Sequence, residues 1–215
     1  MCNYPELSSV TVLIPAYNEE ATISSVVQAC QECPYVAEII VVDDGSSDCT
    51  GDRAYAAGAR VLFLPENLGK AAALFFGAKT VNTPWLLLLD ADLIGLENKH
   101  VASLITPVLN KTADSTLGLF TKGRFRTDLA HTLTPFLSGQ RCLYTSFFLT
   151  LEEKANVRYG IEIAITKALK KQNLRIKKVS LDGVTHRMKE EKSGHESGWL
   201  KRMEMYRDII VELFR

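Results

Sequence analysis

Four short apolar runs recur through the first part of the chain: Val10 to Ile14, Glu38 to Val42, Arg60 to Leu64 and Trp85 to Leu89. Each is too short for a helix, and their β-branched or leucine-rich content suits strands buried on both faces of a parallel sheet. Segments patterned as helices lie between them. About Glu20 to Cys33 places Ile23, Val26, Val27 and Cys30 at helical spacing, about Asp48 to Ala57 stops at Gly58, and a third starts near Gly69 and carries Ala73, Phe76 and Val81. Strand, helix and strand repeated in this way imply right-handed crossovers and a doubly wound α/β layer, a mostly parallel sheet flanked by helices.

Each run ends in polar chemistry. Pro15-Ala-Tyr-Asn-Glu-Glu20 follows the first, Asp43-Asp-Gly-Ser-Ser-Asp48 the second, Pro65-Glu-Asn-Leu-Gly-Lys70 the third and Asp90-Ala-Asp92 the fourth. In an open parallel sheet the carboxyl ends of the strands share one edge, where ligands bind at the switch in strand order. Taken singly, Asp43 to Asp48 reads as a turn with a helix cap and Asn67 to Lys70 as a loop. Taken together, the four segments converge on one cleft.

Composition excludes several other functions. The chain has 215 residues, 47% of them hydrophobic, enough to bury a substantial core as one compact domain. Lysine plus arginine equals aspartate plus glutamate at 25 each, so no global field favours nucleic acid. No apolar run approaches the roughly 20 residues that span a bilayer, and no basic leader precedes an apolar stretch, so the expected location is the cytoplasm. Five cysteines, an odd set, fit a reducing compartment. Cys30-Gln-Glu-Cys33 has redox or zinc spacing, but it closes a helix and lacks two further ligands, so its thiols are read as packing groups.

The ordered set Ile14 to Glu20, Val42 to Asp48, Asn67 to Lys70 and Asp90 to Asp92 resembles family 2 glycosyltransferases of the GT-A fold, including dolichyl-phosphate mannosyltransferase-like enzymes. Further on, Ser138 to Arg141, Tyr159 to Glu162 and Gly183 to His186 are similar to elements of the glucosyl-3-phosphoglycerate synthases, GT-A relatives assigned to another family. The resemblance implies a GT-A fold over residues 1–215, with a nucleotide-binding half to about residue 98 and an acceptor half beyond it that ends in a C-terminal helix. It also implies transfer of a hexose from a UDP-sugar to a hydroxyl or phosphate acceptor, either a small molecule or lipid-linked. Family 2 membership would imply inversion at the anomeric carbon, whereas the synthase resemblance would imply retention.

A divalent cation, Mn2+ or Mg2+, suits that reaction because it can bridge diphosphate oxygens whose charge grows as the sugar departs. Asp90 and Asp92 lie two apart in extended chain and so point to the same face, free to meet on one cation or on the cation and the donor ribose. By the family pattern Asp92 is the stronger metal ligand, Asp90 lies closer to ribose or metal, and Ala91 sits between them against the donor. The resemblance places Pro15, Ala16, Tyr17 and Glu19 around the nucleoside and Asp44 at the uracil imide, whose N–H a carboxylate can accept. Gly69 and Lys70 open a helix, where amides, dipole and ammonium favour phosphate; the spacing is not that of a P-loop.

Tyr159 to Lys171 reads as a helix entered at Gly160, and Leu174 to Leu181 alternates as a strand. His186 just after that strand completes the metal site by resemblance; His131 and His195 have no such support. Tyr159 and Glu162 fall on the donor side, and Glu162 is read as a sugar or acceptor contact ahead of a general base, which would have to lie opposite the leaving group. The acidic pair Glu152-Glu153 departs from the Glu-Asp pair of many family 2 enzymes. Arg124, Arg126, Gly139, Gln140 and Arg141 are the expected acceptor contacts, guanidinium being suited to phosphate or carboxylate. Trp199, Met203, Tyr206, Ile210 and Leu213 pattern a final helix that packs on the domain or in a homodimer, ahead of peripheral membrane contact. Two other readings share parts of this plan. A sugar-nucleotide pyrophosphorylase would need a glycine-rich, arginine-containing loop where Pro15 to Glu20 stands, and a nucleotide-sugar-binding module would bind without turnover.

Overall fold

The computed structural model describes residues 9–120, 138–151 and 160–187. Its central sheet has the order β3-β2-β1-β4-β7, with β1 at Val10–Ala16, β2 at Val36–Asp43, β3 at Arg60–Phe63, β4 at Trp85–Leu88 and β7 at Arg141–Tyr144. The first four are parallel, as their apolar runs predict, and β7 closes the far side antiparallel to β4. Helices α1 (Ile23–Gln31), α2 (Thr50–Ala56) and α3 (Lys70–Ala78) make the crossovers. They are shorter than their patterns suggest, because the polar residues before each one are taken up in loop hydrogen bonds.

The period-two alternation of each strand sorts its side chains to two cores. Val10, Val12 and Ile14 of β1, with Ile39 and Val41 of β2 and Leu87 of β4, pack on one side with Ile23, Val26 and Val27 of α1. Leu13, Ile40, Val42, Leu86 and Leu88 face the other side, against Leu74 and Phe75 of α3. Burial of each such side chain stabilises the fold by about 1.5–3 kcal/mol, which is why both faces of these strands are apolar.

Helix α4 (Asn98–Leu109) covers the first core with Val101, Leu104, Ile105 and Val108, one face at helical spacing. His100, buried in its first turn, accepts the Glu97 N–H at 3.1 Å through Nδ1. Strand β6 (Ser115–Phe120) follows and pairs in parallel with β8 (Ile176–Leu181). It lies along β7 through Gly118 N–H to the Gln140 carbonyl at 2.8 Å and the Ser115 hydroxyl to the Cys142 carbonyl at 2.9 Å. Helix α5 (Thr145–Leu149) and helix α6 (Ile161–Lys171) complete the second core; Gly160 at φ 81° precedes α6, as expected for its entry.

Two short strands, β5 (Leu93–Ile94) and β9 (Thr185–His186), pair antiparallel with Leu93 opposite His186. This joins the end of β4 to a segment more than ninety positions later. Cys30 and Cys33 are buried free thiols, and burial pushes both upward in pKa, as suits packing groups. No helix among the described residues is long and apolar enough to cross a membrane.

Candidate active site

The four polar segments meet at the carboxyl edge of the sheet, each bonded to the next. Asn18, in left-handed conformation at φ 55°, accepts the Ser47 N–H at 2.8 Å, and the Thr50 hydroxyl accepts the Glu19 N–H at 2.8 Å. Asp48 accepts the Glu20 N–H at 3.3 Å and the Thr50 N–H at 3.0 Å. The loops after β1 and β2 are thereby closed on each other. Pro15 lines the pocket, Ala16 is buried, and Tyr17 stands 46% exposed above them.

Asp44 ties the second segment to the third. Its carboxylate accepts the Leu68 N–H at 2.8 Å and the Gly69 N–H at 2.9 Å, and its own N–H reaches the Ala16 carbonyl at 2.8 Å. Gly45, at φ 71°, lets the 66–67 backbone lie against it: a Cβ there would stand 2.6 Å from the Glu66 carbonyl carbon. Gly45→Ala therefore combines left-handed strain of about 1–2 kcal/mol with a backbone clash. The expected result is a loss of about 2 kcal/mol or more in urea unfolding, together with weaker nucleotide binding.

The third segment meets the fourth through charge. Lys70 Nζ, at the start of α3, lies 2.6 Å from Asp90 Oδ1 and 2.6 Å from Glu162 Oε1, the latter in the first turn of α6. Burial would lower the ammonium pKa, but the two carboxylates outweigh it and hold Lys70 firmly protonated. Burial likewise favours neutral Asp90, yet Lys70 and a hydrogen bond from Gln140 keep it below the usual carboxylate range. Pro15, Lys70, Asp90, Gly139, Arg141 and Glu162 line a pocket here.

Beside it, Asp90, Asp92 and His186 each offer a ligand atom, all within 4.8 Å of one another. The β5–β9 pairing sets this geometry: Arg187 N–H bonds the Asp92 carbonyl at 2.9 Å, and His186 Nδ1 is 2.9 Å from Asp92 Oδ1. Phe120, at the end of β6, backs the imidazole edge-on with ring centroids 4.8 Å apart. Burial pulls the His186 pKa down, but Asp92 more than reverses it and holds it above the ordinary imidazole value. Two carboxylates and an imidazole are donors suited to Mn2+ or Mg2+, so these three residues would fit such a cation.

Of the expected acceptor contacts, Gly139, Gln140 and Arg141 lie among the described residues. Gln140 is fully buried, with its amide committed to Asp90 and Ser138, and Arg141 is 1% exposed, its Nε donating to the Ser138 carbonyl at 3.0 Å. Gln140 is thus tied to Asp90 just before β7, whereas Arg141, the first residue of β7, lines the pocket with Lys70 and Glu162. Burial lowers the Arg141 pKa to about 10, while Glu162 acts in the opposite direction. Gly139 does reach the site: a Cβ on it would lie 2.7 Å from Asp90 Oδ1 and 2.8 Å from Lys70 Nζ. Arg124, Arg126, His131, Glu152, Glu153, Tyr159, His195 and the expected final helix lie outside the described residues. The Lys70 to Glu162 contact was invisible in the sequence because it spans 92 positions.

Glucosyl-3-phosphoglycerate synthase of Mycobacterium tuberculosis is 36% identical over 110 residues, 47% of this chain and 34% of the relative. An undecaprenyl-phosphate 4-deoxy-4-formamido-L-arabinose transferase of Aeromonas hydrophila is 36% identical over 101 residues, 42% and 31% of the two chains. The chain thus spans about a third of the length of these curated relatives. A crystal structure of the M. tuberculosis synthase in complex with Mn2+ and UDP-glucose superposes with a TM-score of 0.71 at 25% identity, covering 96% of this chain and 78% of that one. The fold is GT-A. With the family model for glycosyl transferase family 2 matching residues 11–174, the chain belongs to that family.

Proposed function

We propose that this protein is a metal-dependent glycosyltransferase that moves a hexose from a UDP-sugar to a hydroxyl or phosphate acceptor. The observation that carries the reading is the convergence of Asp90, Asp92 and His186 within 4.8 Å, beside a lysine at a helix start. Asp92 and His186 would hold a divalent cation, with Asp90 next to it. Such a cation, when bound, supplies the Lewis acid that neutralises charge on the departing diphosphate. Lys70 adds a second positive charge at the same edge, where the α3 amides also favour phosphate. The cleft lined by Pro15, Gly139 and Glu162 would orient the sugar against these groups.

The M. tuberculosis synthase structures include complexes with UDP-glucose and with phosphoglyceric acid or glycerol 3-phosphate. A UDP-hexose donor and a phosphorylated three-carbon acceptor are therefore the first substrates to try here. Residues 99–215 would supply the acceptor side, Arg124 and Arg126 among them. The deciding experiment is a donor screen that follows release of the nucleoside diphosphate with and without Mn2+ or Mg2+. Metal-dependent release of UDP that rises on adding acceptor supports transfer, and binding without release would leave a nucleotide-sugar-binding module.

Base selection follows from Asp44. Asp44 is 3% exposed and each of its oxygens accepts one loop amide, so the uracil imide would have to reach the lone pairs those amides leave. The expected outcome in calorimetric titration is tighter binding of UDP than GDP, with Asp44→Asn erasing the difference. Tighter binding of GDP would remove Asp44 from the base site.

A further inference from the structure

Gln140 is a buried amide with both ends engaged. Nε2 donates to Asp90 Oδ2 at 2.7 Å, and Oε1 accepts the Ser138 hydroxyl at 2.7 Å. The amide orientation follows from its partners, because an ionised carboxylate only accepts and the hydroxyl has the proton to give. Gln140 is also anchored at its backbone, whose carbonyl takes the Gly118 N–H at 2.8 Å. Gly139 brings the same strap close to Asp90: a Cβ there would stand 2.7 Å from Oδ1 and 2.8 Å from Oδ2, so a side chain would push the carboxylate from its place. Asp90 is thus held from behind by β7, while its other oxygen faces Lys70 at 2.6 Å. Among the described residues, the Asp92 carboxylate has a single side-chain hydrogen-bond partner, the imidazole of His186 at Oδ1.

We infer that Gln140 is a positioning residue that fixes the rotamer of Asp90, so that the two carboxylates of the acidic pair do different work. Asp90 becomes a rigid ligand that would offer one oxygen to the cation while keeping Lys70 beside it, and Asp92 with His186 becomes the adjustable part that closes on the cation. The inference rests on the proposed binding of a divalent cation with a nucleoside diphosphate. An amide is suited to this task because it donates to Asp90 without adding a charge that would compete with the cation.

Gln140→Met keeps the length and volume of the side chain and removes only the donor and acceptor. Calorimetric titration of Mn2+ into protein with UDP should show affinity weakened about 10–100-fold, the usual scale for a group supporting a metal ligand. UDP binding in chelator should change far less, and the rise in Tm on adding Mn2+ and UDP should shrink accordingly. Ser138→Ala, which releases the amide without touching the packed core, should weaken Mn2+ binding in the same direction by about 2–12-fold. It serves as the reporter if the Gln140 variant does not fold. Unchanged Mn2+ affinity in the variants, or an equal loss of UDP affinity with and without metal, overturns the assignment of Gln140. Failure of the parent protein to bind Mn2+ in the presence of UDP instead overturns the proposed function, and this inference with it.

Discussion

Asp92→Ala is expected to lower kcat/KM with a UDP-sugar donor by roughly 10³-fold or more, the consequence of losing several kcal/mol of charge stabilisation at the leaving group. Asp92 is the carboxylate least committed to holding the protein together. Asp90 is occupied by Lys70 and Gln140, whereas Asp92 contacts His186, the other group free to turn toward a cation. Removing it also removes the interaction that holds the imidazole in place and raises its pKa. The variant should fail to saturate in Mn2+ at concentrations that saturate the parent, when release of the nucleoside diphosphate is followed. His186→Ala should fall in the same direction by less, since it takes away a neutral ligand and leaves both carboxylates. An Asp92→Ala enzyme that keeps turnover within tenfold of the parent, in metal and in chelator alike, would remove the metal site from the reaction.

The parallel half of the fold could be read in the sequence because its signals are local. β1 to β4 are runs whose every second residue feeds an opposite core, and the loops after them carry polar residues at the sheet edge. Asp90, Asp92 and Lys70 were legible for the same reason, each lying within a residue or two of a strand end or helix start. α4 also had a local signal, Val101, Leu104, Ile105 and Val108 at helical spacing, that went unused. What escaped depends on distant pairing. Gln140 reads as a polar residue available to an acceptor, yet it is tied to Asp90, because its segment leads into β7, which runs antiparallel beside β4. No periodicity in Arg141–Tyr144 could indicate that neighbour. His186 could be placed only by resemblance, since its position depends on a two-residue strand pairing with Leu93–Ile94. The Asp44 bonds to Leu68 and Gly69 were likewise hidden, so a residue read as a nucleotide contact also holds the loop that delivers Lys70.

Glu162→Gln separates two chemistries that the sequence left open. A general base in an inverting displacement must approach the acceptor on the side opposite the leaving group. Glu162 instead shares the Lys70 ammonium with Asp90, at 2.6 Å to each. With Lys70 at the diphosphate, as proposed, Glu162 would stand on the leaving-group side of the cleft, where it could hold the sugar or steady Lys70. The amide replacement keeps the shape but loses the charge that pairs with Lys70, which then leans further toward Asp90. Substrate saturation should weaken by about 10-fold or more while turnover at saturation stays measurable, because a hydrogen bond to a charged group contributes about 1.5–3 kcal/mol. Loss of a base would look different: a fall of roughly 10²–10⁴-fold in kcat with KM nearly unchanged. NMR of the product anomer, run beside the kinetics, completes the distinction. A drop confined to kcat, with the product anomer inverted relative to the donor, would make Glu162 the base and require Lys70 to leave it when substrate binds.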